Sequence, residues 1–164
     1  MLKAIKIRLY PTETQQITIN KLLGCCRLVY NLCLDHRNKI YEETKESGSL
    51  SKSYKYFCEL KEMEKYSFLK TDSHSKVIQQ TLMNQDVAFK NFFTKKSDFP
   101  KFKSKKDNKQ TCRFPKDAIS NIKGNRINII KSLKDIHFKC SRKDESYLNK
   151  NQGLIMSATL TKTC

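Results

Sequence analysis

Acidic residues are scarce in this chain: 16 Asp and Glu stand against 33 Lys and Arg, a formal net charge of +17 over 164 residues. An excess of that size repels itself in a compact state unless a polyanion neutralises it, so nucleic acid is the expected partner. An anionic membrane surface is second, and no long apolar run is present to anchor in or span one. Glycine is rare, four residues in all, and none forms a phosphate-cradling loop. Seven cysteines include no C-x-x-C pair, and Cys25 and Cys26 are adjacent. The odd count fits a reducing cytoplasm better than a disulfide framework. The N-terminal "MLKAIKIRLYP" has no continuous apolar core of the kind a signal peptide needs, which also points to the cytoplasm.

Catalytic signatures are missing as well. There is no G-x-S-x-G and no H-E-x-x-H, and Asp35, Asp72 and Asp86 are not spaced as a metal-holding carboxylate set. Asp35 and His36 are neighbours on an expected helix and face different directions. Cys33-x-x-His36 is the nearest approach to ligand spacing, and a core cysteine beside a surface histidine explains it better. No enzyme activity, no metal and no cofactor are therefore expected of these residues.

What is present is a strand followed by helices followed by strands. In residues 3–9, Ile5, Ile7 and Leu9 alternate with Lys6 and Arg8, a half-buried strand with a basic outer face. Pro11 ends it, and Thr12 with Gln15 reads as a capping box. From there Ile19, Leu22, Leu23, Cys26, Val29, Tyr30, Cys33, Ile40 and Tyr41 recur at helical steps, with Gly24 a candidate break. A second helix is expected from Tyr54 to about Lys65, opened by Ser53. A third is expected from about Ser75 to Thr94, with Ile78, Leu82, Phe89, Phe92 and Phe93 as its apolar stripe. The period then changes to two. "AISNIKGNRINII" predicts a hairpin about a Gly-Asn turn, "LKDIHFKC" a further strand, "RKDESYLNKNQG" a polar loop and "LIMSATL" a last strand. The order predicts an α+β chain whose first strand joins the later ones in a small antiparallel sheet or barrel, the helices forming an insertion.

Between helices and hairpin lies "FPKFKSKKDNKQTCRFP", residues 99–115, which shows neither helical nor strand period. Its lysines at 101, 103, 105, 106 and 109 can each neutralise a phosphate. Phe99, Phe102 and Phe114 can stack on bases or pin the segment to the core. The expected compromise is a strap whose rings grip protein and whose lysines grip phosphate.

The blocks "IRLYPTETQ", "GCCRLVYNLCLDHRNKIY", "SKVIQQTLMNQDVAFKNFF" and "DFPKFKSKKDNKQTCR", in that order and spacing, resemble the N-terminal part of TnpB, the OrfB-type protein encoded by insertion sequences. The resemblance covers essentially the whole chain. It implies an RNA-guided DNA nuclease family, similar to ancestors of the type V CRISPR effectors. It also implies an oligonucleotide-binding-type β-barrel, the wedge, with a three-helix, helix-turn-helix-like recognition domain inserted after its first strand. The implied division is 1–10 for the first wedge strand, 11–96 for the recognition insertion and 97–164 for the strap and remaining wedge strands. Matching positions imply that Lys6, Arg8, Arg27, Tyr30 and Asn31 face guide RNA or the RNA–DNA duplex. Gln79 would lie near the short DNA motif flanking the target. Lys101, Phe102, Lys103, Lys105 and Lys106, with Arg113 closing the block, would follow nucleic-acid backbone.

The chain also departs from the family. The acidic residues of its RuvC-like nuclease and its zinc-ribbon cysteine pairs lie beyond the matching region. The tryptophan usual after the hairpin is absent, since the chain has none and "LKDIHF" stands there. The expectation is a binding module without its nuclease, partnered by guide-type RNA, target DNA and a separately encoded nuclease part, with no membrane. The alternatives are a stand-alone helix-turn-helix regulator and a non-functional remnant of a truncated gene.

Overall fold

The computed structural model describes residues 3–151 and 155–163; Leu154, the expected first residue of the last strand, lies outside them. In chain order the elements are β1 (Arg8–Tyr10), α1 (Glu13–Thr44), α2 (Leu50–Glu62), the short α3 (Leu69–Asp72), α4 (Ser75–Phe93), β2 (Lys109–Pro115), β3 (Asn121–Lys123), β4 (Arg126–Asn128), β5 (Ile136–Lys139), α5 (Arg142–Lys150) and β6 (Ser157–Thr163). The chain is α+β. It divides into two compact units, residues 1–20 with 114–158 and residues 21–113 with 159–164.

The first unit is built on an antiparallel sheet of order β1-β5-β4-β3. Its ladder places Leu9 opposite Phe138, and Ile127 opposite both Ile136 and Ile122. These side chains form the apolar face, together with the buried Ile129, Ile130, Leu133 and Phe114. The Gly124–Asn125 turn joins β3 to β4, and Gly124 has φ +57°, the left-handed conformation that a tight two-residue hairpin requires. The expected first strand is laddered over Arg8–Tyr10 alone, although the in–out alternation of residues 5–10 holds. No closed barrel is formed by the described residues: the sheet is open, and β2 pairs separately with β6.

The stretch "RKDESYLNK" is helix α5 and not the expected loop. Ser141 caps it by accepting from the Asp144 amide at 3.2 Å, and Asp144 and Glu145 occupy the first turn, where the helix dipole favours them. None of its residues is buried, which is why no apolar period announced it. Lys3 fastens it through Asp144 at 2.9 Å.

The second unit is a helical cluster. The Thr12–Gln15 capping box at the start of α1 is reciprocal: Thr12 N–H donates to Gln15 Oε1 at 2.9 Å and Gln15 N–H to Thr12 Oγ1 at 3.4 Å. Gly24 neither breaks nor ends α1, which runs on to Thr44. By length and composition α1 could cross a membrane, but half of its most apolar window is buried inside the protein. Leu22, Leu23, Cys26, Val29, Cys33 and Leu34 of α1 form the core with Phe57 and Leu60 of α2 and Val77, Ile78, Leu82 and Phe89 of α4. The cap of α2 is Ser49, accepting from Lys52 N–H at 3.2 Å, and not the expected Ser53, which is itself buried inside the helix. Phe93, expected in the apolar stripe of α4, is 62% exposed.

The expected aperiodic segment 99–115 is half strand. From Lys109 onward β2 alternates, with Cys112 and Phe114 inward and Thr111 and Arg113 outward. The polar Gln110 and the flanking lysines conceal that alternation in the sequence.

Candidate nucleic-acid interface

In the first unit, the face of the sheet away from the core is basic. Strand register aligns Tyr10, His137, Arg126 and Lys123 in one row across β1, β5, β4 and β3. One row along, Arg8 stands directly opposite Lys139. The Tyr10 ring has the Arg8 guanidinium 5.6 Å and the Lys139 ammonium 5.3 Å from its centroid, and the His137 ring at 5.6 Å. Arg126 is balanced by Asp135 at 3.0 Å. Like charges directly opposite in a ladder destabilise the sheet by about 0.2–1 kcal/mol, so the Arg8–Lys139 pair is a standing demand for an anion. Lys6, one alternation earlier, is exposed on the same phase of the chain.

In the second unit the strap is held on the helices by backbone and by rings. The Asn31 side-chain amide donates to the Lys103 carbonyl at 2.9 Å, and its carbonyl accepts the Lys103 N–H at 2.8 Å. Arg27 donates to Gln110 Oε1 at 3.2 Å, and Gln110 donates in turn to the Lys105 carbonyl at 2.9 Å. The Phe99 ring stands edge-on to Phe89 at 5.6 Å and to Phe92 at 5.2 Å. Pro100 is buried. The lysines divide. Lys101, Lys105 and Lys106 are exposed, whereas the Lys103 ammonium lies 4.2 Å from the Tyr30 ring centroid. Lys103 is exposed as a residue, yet its charged end is tucked in, and that burial lowers its pKa against the raising influence of Cys26 and Asp107.

Eleven of the twelve positions expected to meet nucleic acid thus fall into three groups, and Gln79 stands apart from them. Lys6 and Arg8 lie on the sheet unit, Arg8 within its basic face. Lys101, Phe102 (57% exposed), Lys105, Lys106 and Arg113 are exposed on the strap or β2. Arg27, Tyr30, Asn31 and Lys103 are joined to one another through the strap and the helix beneath it. Tyr30 is 6% exposed, packs with Leu34 and Phe89, and its carbonyl accepts from the buried Gln85 amide at 2.8 Å. Burial raises the pKa of its phenol. Gln79 is exposed on α4, one helical step from the exposed Met83 and two from the exposed Val87.

Sequence reasoning missed Tyr10, His137, Lys139, Arg126 and Lys123 as parts of one surface. The alternation of "IHFK" gave the outward phase of His137 and Lys139; the register that aligns them with β1 and β4 was not in the string. The Cys33–His36 spacing resolves as packing. The Cys33 thiol donates to the Ser53 carbonyl at 3.7 Å, and the His36 ring stacks on Tyr56 at 3.9 Å. Among the described residues, no three His, Cys, Asp or Glu side chains are gathered so as to hold a metal ion. The chemistry these surfaces offer is neutralisation of phosphate and stacking of bases.

Comparison with known proteins bears on the same residues. Residues 1–46 match a family described as a helix-turn-helix domain, of the OrfB type found in the insertion sequence IS605. That span holds β1 and α1 entire, and the next long helix begins at Leu50. A Streptomyces pristinaespiralis protein named "Putative RNA-guided DNA endonuclease" is 31% identical over 140 residues, 85% of this chain and 34% of the relative. InsQ of Escherichia coli K12, of the same printed name, is 29% identical over 163 residues, 99% of this chain and 38% of the relative. Virulence protein VsdF of Salmonella dublin is 34% identical over 114 residues, 64% of this chain and 95% of the relative. The chain spans about a third of the length of the first two.

Proposed function

The chain belongs to the TnpB/OrfB family of insertion-sequence proteins, whose N-terminal part it matches, and on that footing we propose that it binds the guide-type RNA of its element and the DNA that RNA addresses. The observation that carries the proposal is the basic and aromatic sheet face. Arg8 and Lys139 stand opposite each other about Tyr10, in an arrangement that a folded protein without a polyanionic ligand has reason to avoid. The strap adds Lys101, Lys105 and Lys106 for phosphate and an exposed Phe102 ring for a base.

In this reading residues 1–10 and 97–164 supply the wedge, a partly open relative of the oligonucleotide-binding barrel, and 11–96 the recognition insertion, with Gln79 toward the DNA motif. In this reading these residues bind, and cleavage in the family belongs to a RuvC-like part outside the region matched here. The free thiols of the six described cysteines suit a cytoplasmic setting.

The test is affinity for the element-end RNA, a scrambled RNA and a DNA duplex across a salt series. Preference for the element-end RNA at physiological salt supports a guide-RNA module, and a Kd indifferent to salt refutes phosphate neutralisation altogether. Replacing Lys101, Lys105 and Lys106 with Ala flattens the salt slope by about three units, roughly one per phosphate contact.

A further inference from the structure

Phenylalanine gathers where α4 ends. Phe89, Phe92 and Phe93 close the helix, and Phe99 returns to them from the strap, edge-on to Phe89 at 5.6 Å and to Phe92 at 5.2 Å. Phe89 is buried, whereas Phe93 is 62% and Phe99 44% exposed. The Phe93 ring lies 6.5 Å from that of Phe89, with 26° between their planes, and 5.4 Å from that of Phe92. The series of rings therefore runs outward from the core and ends in solvent. A single exposed ring is ordinary, but two that touch the same pair of neighbours make a patch, and a patch marks a binding surface.

Cations are fixed at the same helix end. The Lys95 N–H donates to the Phe92 carbonyl at 2.9 Å and the Lys96 N–H to the Asn91 carbonyl at 2.8 Å, closing α4 with Lys95 at φ +57°. Glycine is the usual residue in that left-handed position, because it meets no Cβ penalty there. A lysine accepts the conformational cost and adds a charge. Lys95, Lys96 and Lys101 are all exposed. Lys90, one turn earlier, is already paired with Asp86 at 3.0 Å, and Asp98 is the sole acid in residues 94–106. Lysine is depleted from the centres of protein–protein contacts, so rings set among lysines fit a polyanion with flat apolar faces better than they fit another protein. In a duplex those faces are covered by neighbouring base pairs; in an unpaired strand they are open.

We propose that Phe93 and Phe99 form a stacking platform for unpaired bases of the bound strand, with Lys95, Lys96 and Lys101 neutralising the phosphates beside them. The proposal rests on the nucleic-acid-binding reading above and adds to it the state of the ligand, which is single-stranded at this end of α4. Every base has a stacking face, so the platform holds a strand without reading its sequence.

The chain has no tryptophan, so Phe93→Trp places a single indole at the platform and keeps a stacking face there. The probes are a twelve-residue oligouridylate, an abasic oligomer of the same length and charge, and an RNA duplex. Affinities are read by anisotropy of end-labelled probes, and stacking by indole emission. The expected result is saturable quenching by oligouridylate and none by the abasic oligomer or the duplex. Phe93→Ala and Phe93→Leu each weaken oligouridylate binding about tenfold, the loss of one stacked base, and leave binding of the abasic oligomer unchanged. Leucine keeps the apolar contact and loses the π face, so a packing role alone would tolerate it. Tyr41→Ala removes an exposed ring from α1 and changes neither affinity. Oligouridylate bound by Phe93→Leu as tightly as by the wild type, or bound without quenching the indole, overturns the platform and leaves the nucleic-acid reading standing. Self-association in sedimentation that Phe93→Ala abolishes also overturns it, and gives the patch to a second copy. Binding of none of the probes overturns the nucleic-acid reading and the platform with it.

Discussion

Asn31 separates two accounts of the strap. The family resemblance points it at RNA, whereas the structure gives both ends of its side-chain amide to the backbone of Lys103, at 2.9 and 2.8 Å. Each such bond contributes about 0.5–1.5 kcal/mol net. The site is only half-buried, so Asn31→Ala is expected to destabilise the attachment of the strap by about 1–2 kcal/mol. Hydrogen exchange is the assay, because it reads local opening without requiring the whole chain to unfold as one. The Lys103 amide, whose acceptor is Asn31 Oδ1, should lose about tenfold in protection, while amides of the α4 core keep theirs. Asn31→Asp retains the acceptor and loses the donor, and should give about half the effect. RNA affinity falls only as far as the strap loosens. If Asn31→Ala leaves Lys103 exchange at the wild-type rate yet weakens RNA binding tenfold, the strap-pin account is refuted and Asn31 touches RNA directly.

Three further outcomes follow from the same geometry. Lys139→Glu turns the Arg8–Lys139 repulsion into attraction, so urea unfolding should show a gain of about 0.2–1 kcal/mol while RNA affinity drops; loss of both stability and affinity would mean that the pair is structural. Arg37 is 6% exposed and holds Asp86 at 3.4 Å and the Gly48 carbonyl, with Phe89 against its guanidinium at 4.1 Å. Arg37→Met should cost about 3 kcal/mol, the low end for an orphaned buried charge, because Lys90 still reaches Asp86 at 3.0 Å; a melting curve equal to wild type would dismiss the pair. Burial, helped by Lys76, holds the His74 pKa below its ordinary 6.5, so the unfolded chain binds more protons there. The contribution of His74 is then full above pH 6.5 and lost as pH falls through its folded pKa. Stability should decline from pH 7 to 5 more steeply in the wild type than in His74→Gln, and parallel slopes would exclude this histidine.

What the string disclosed and what it withheld divide along a physical line. Features set by residues a few positions apart were legible. The Thr12–Gln15 box, the periodic core of α1 and α4 and the Gly-Asn hairpin all depend on contacts within one turn or one loop. Boundaries failed where two residues could do the same job. Ser49 and Ser53 are both competent caps, and only the burial of Ser53 decides between them. Helix α5 escaped because it buries nothing, leaving the Ser141–Asp144 cap as its sole local signal.

The interface was legible as composition and not as surface. A lysine's charge is visible in the sequence, but its direction is not. Lys103 sits in the same run as Lys101, Lys105 and Lys106, yet its ammonium turns onto Tyr30 while theirs stay in solvent. In the sheet, by contrast, four cations and two rings that are separated in sequence by up to 131 positions, Arg8 to Lys139, meet in adjacent rows. Asp135 balances Arg126, and Asp144 is held by Lys3. Arg8 and Lys139 are left facing each other, a cost that selection for stability alone would remove with one Glu. That this arrangement stands on an exposed face, about a tyrosine ring, is the strongest physical reason to look there for the polyanion that a net charge of +17 requires.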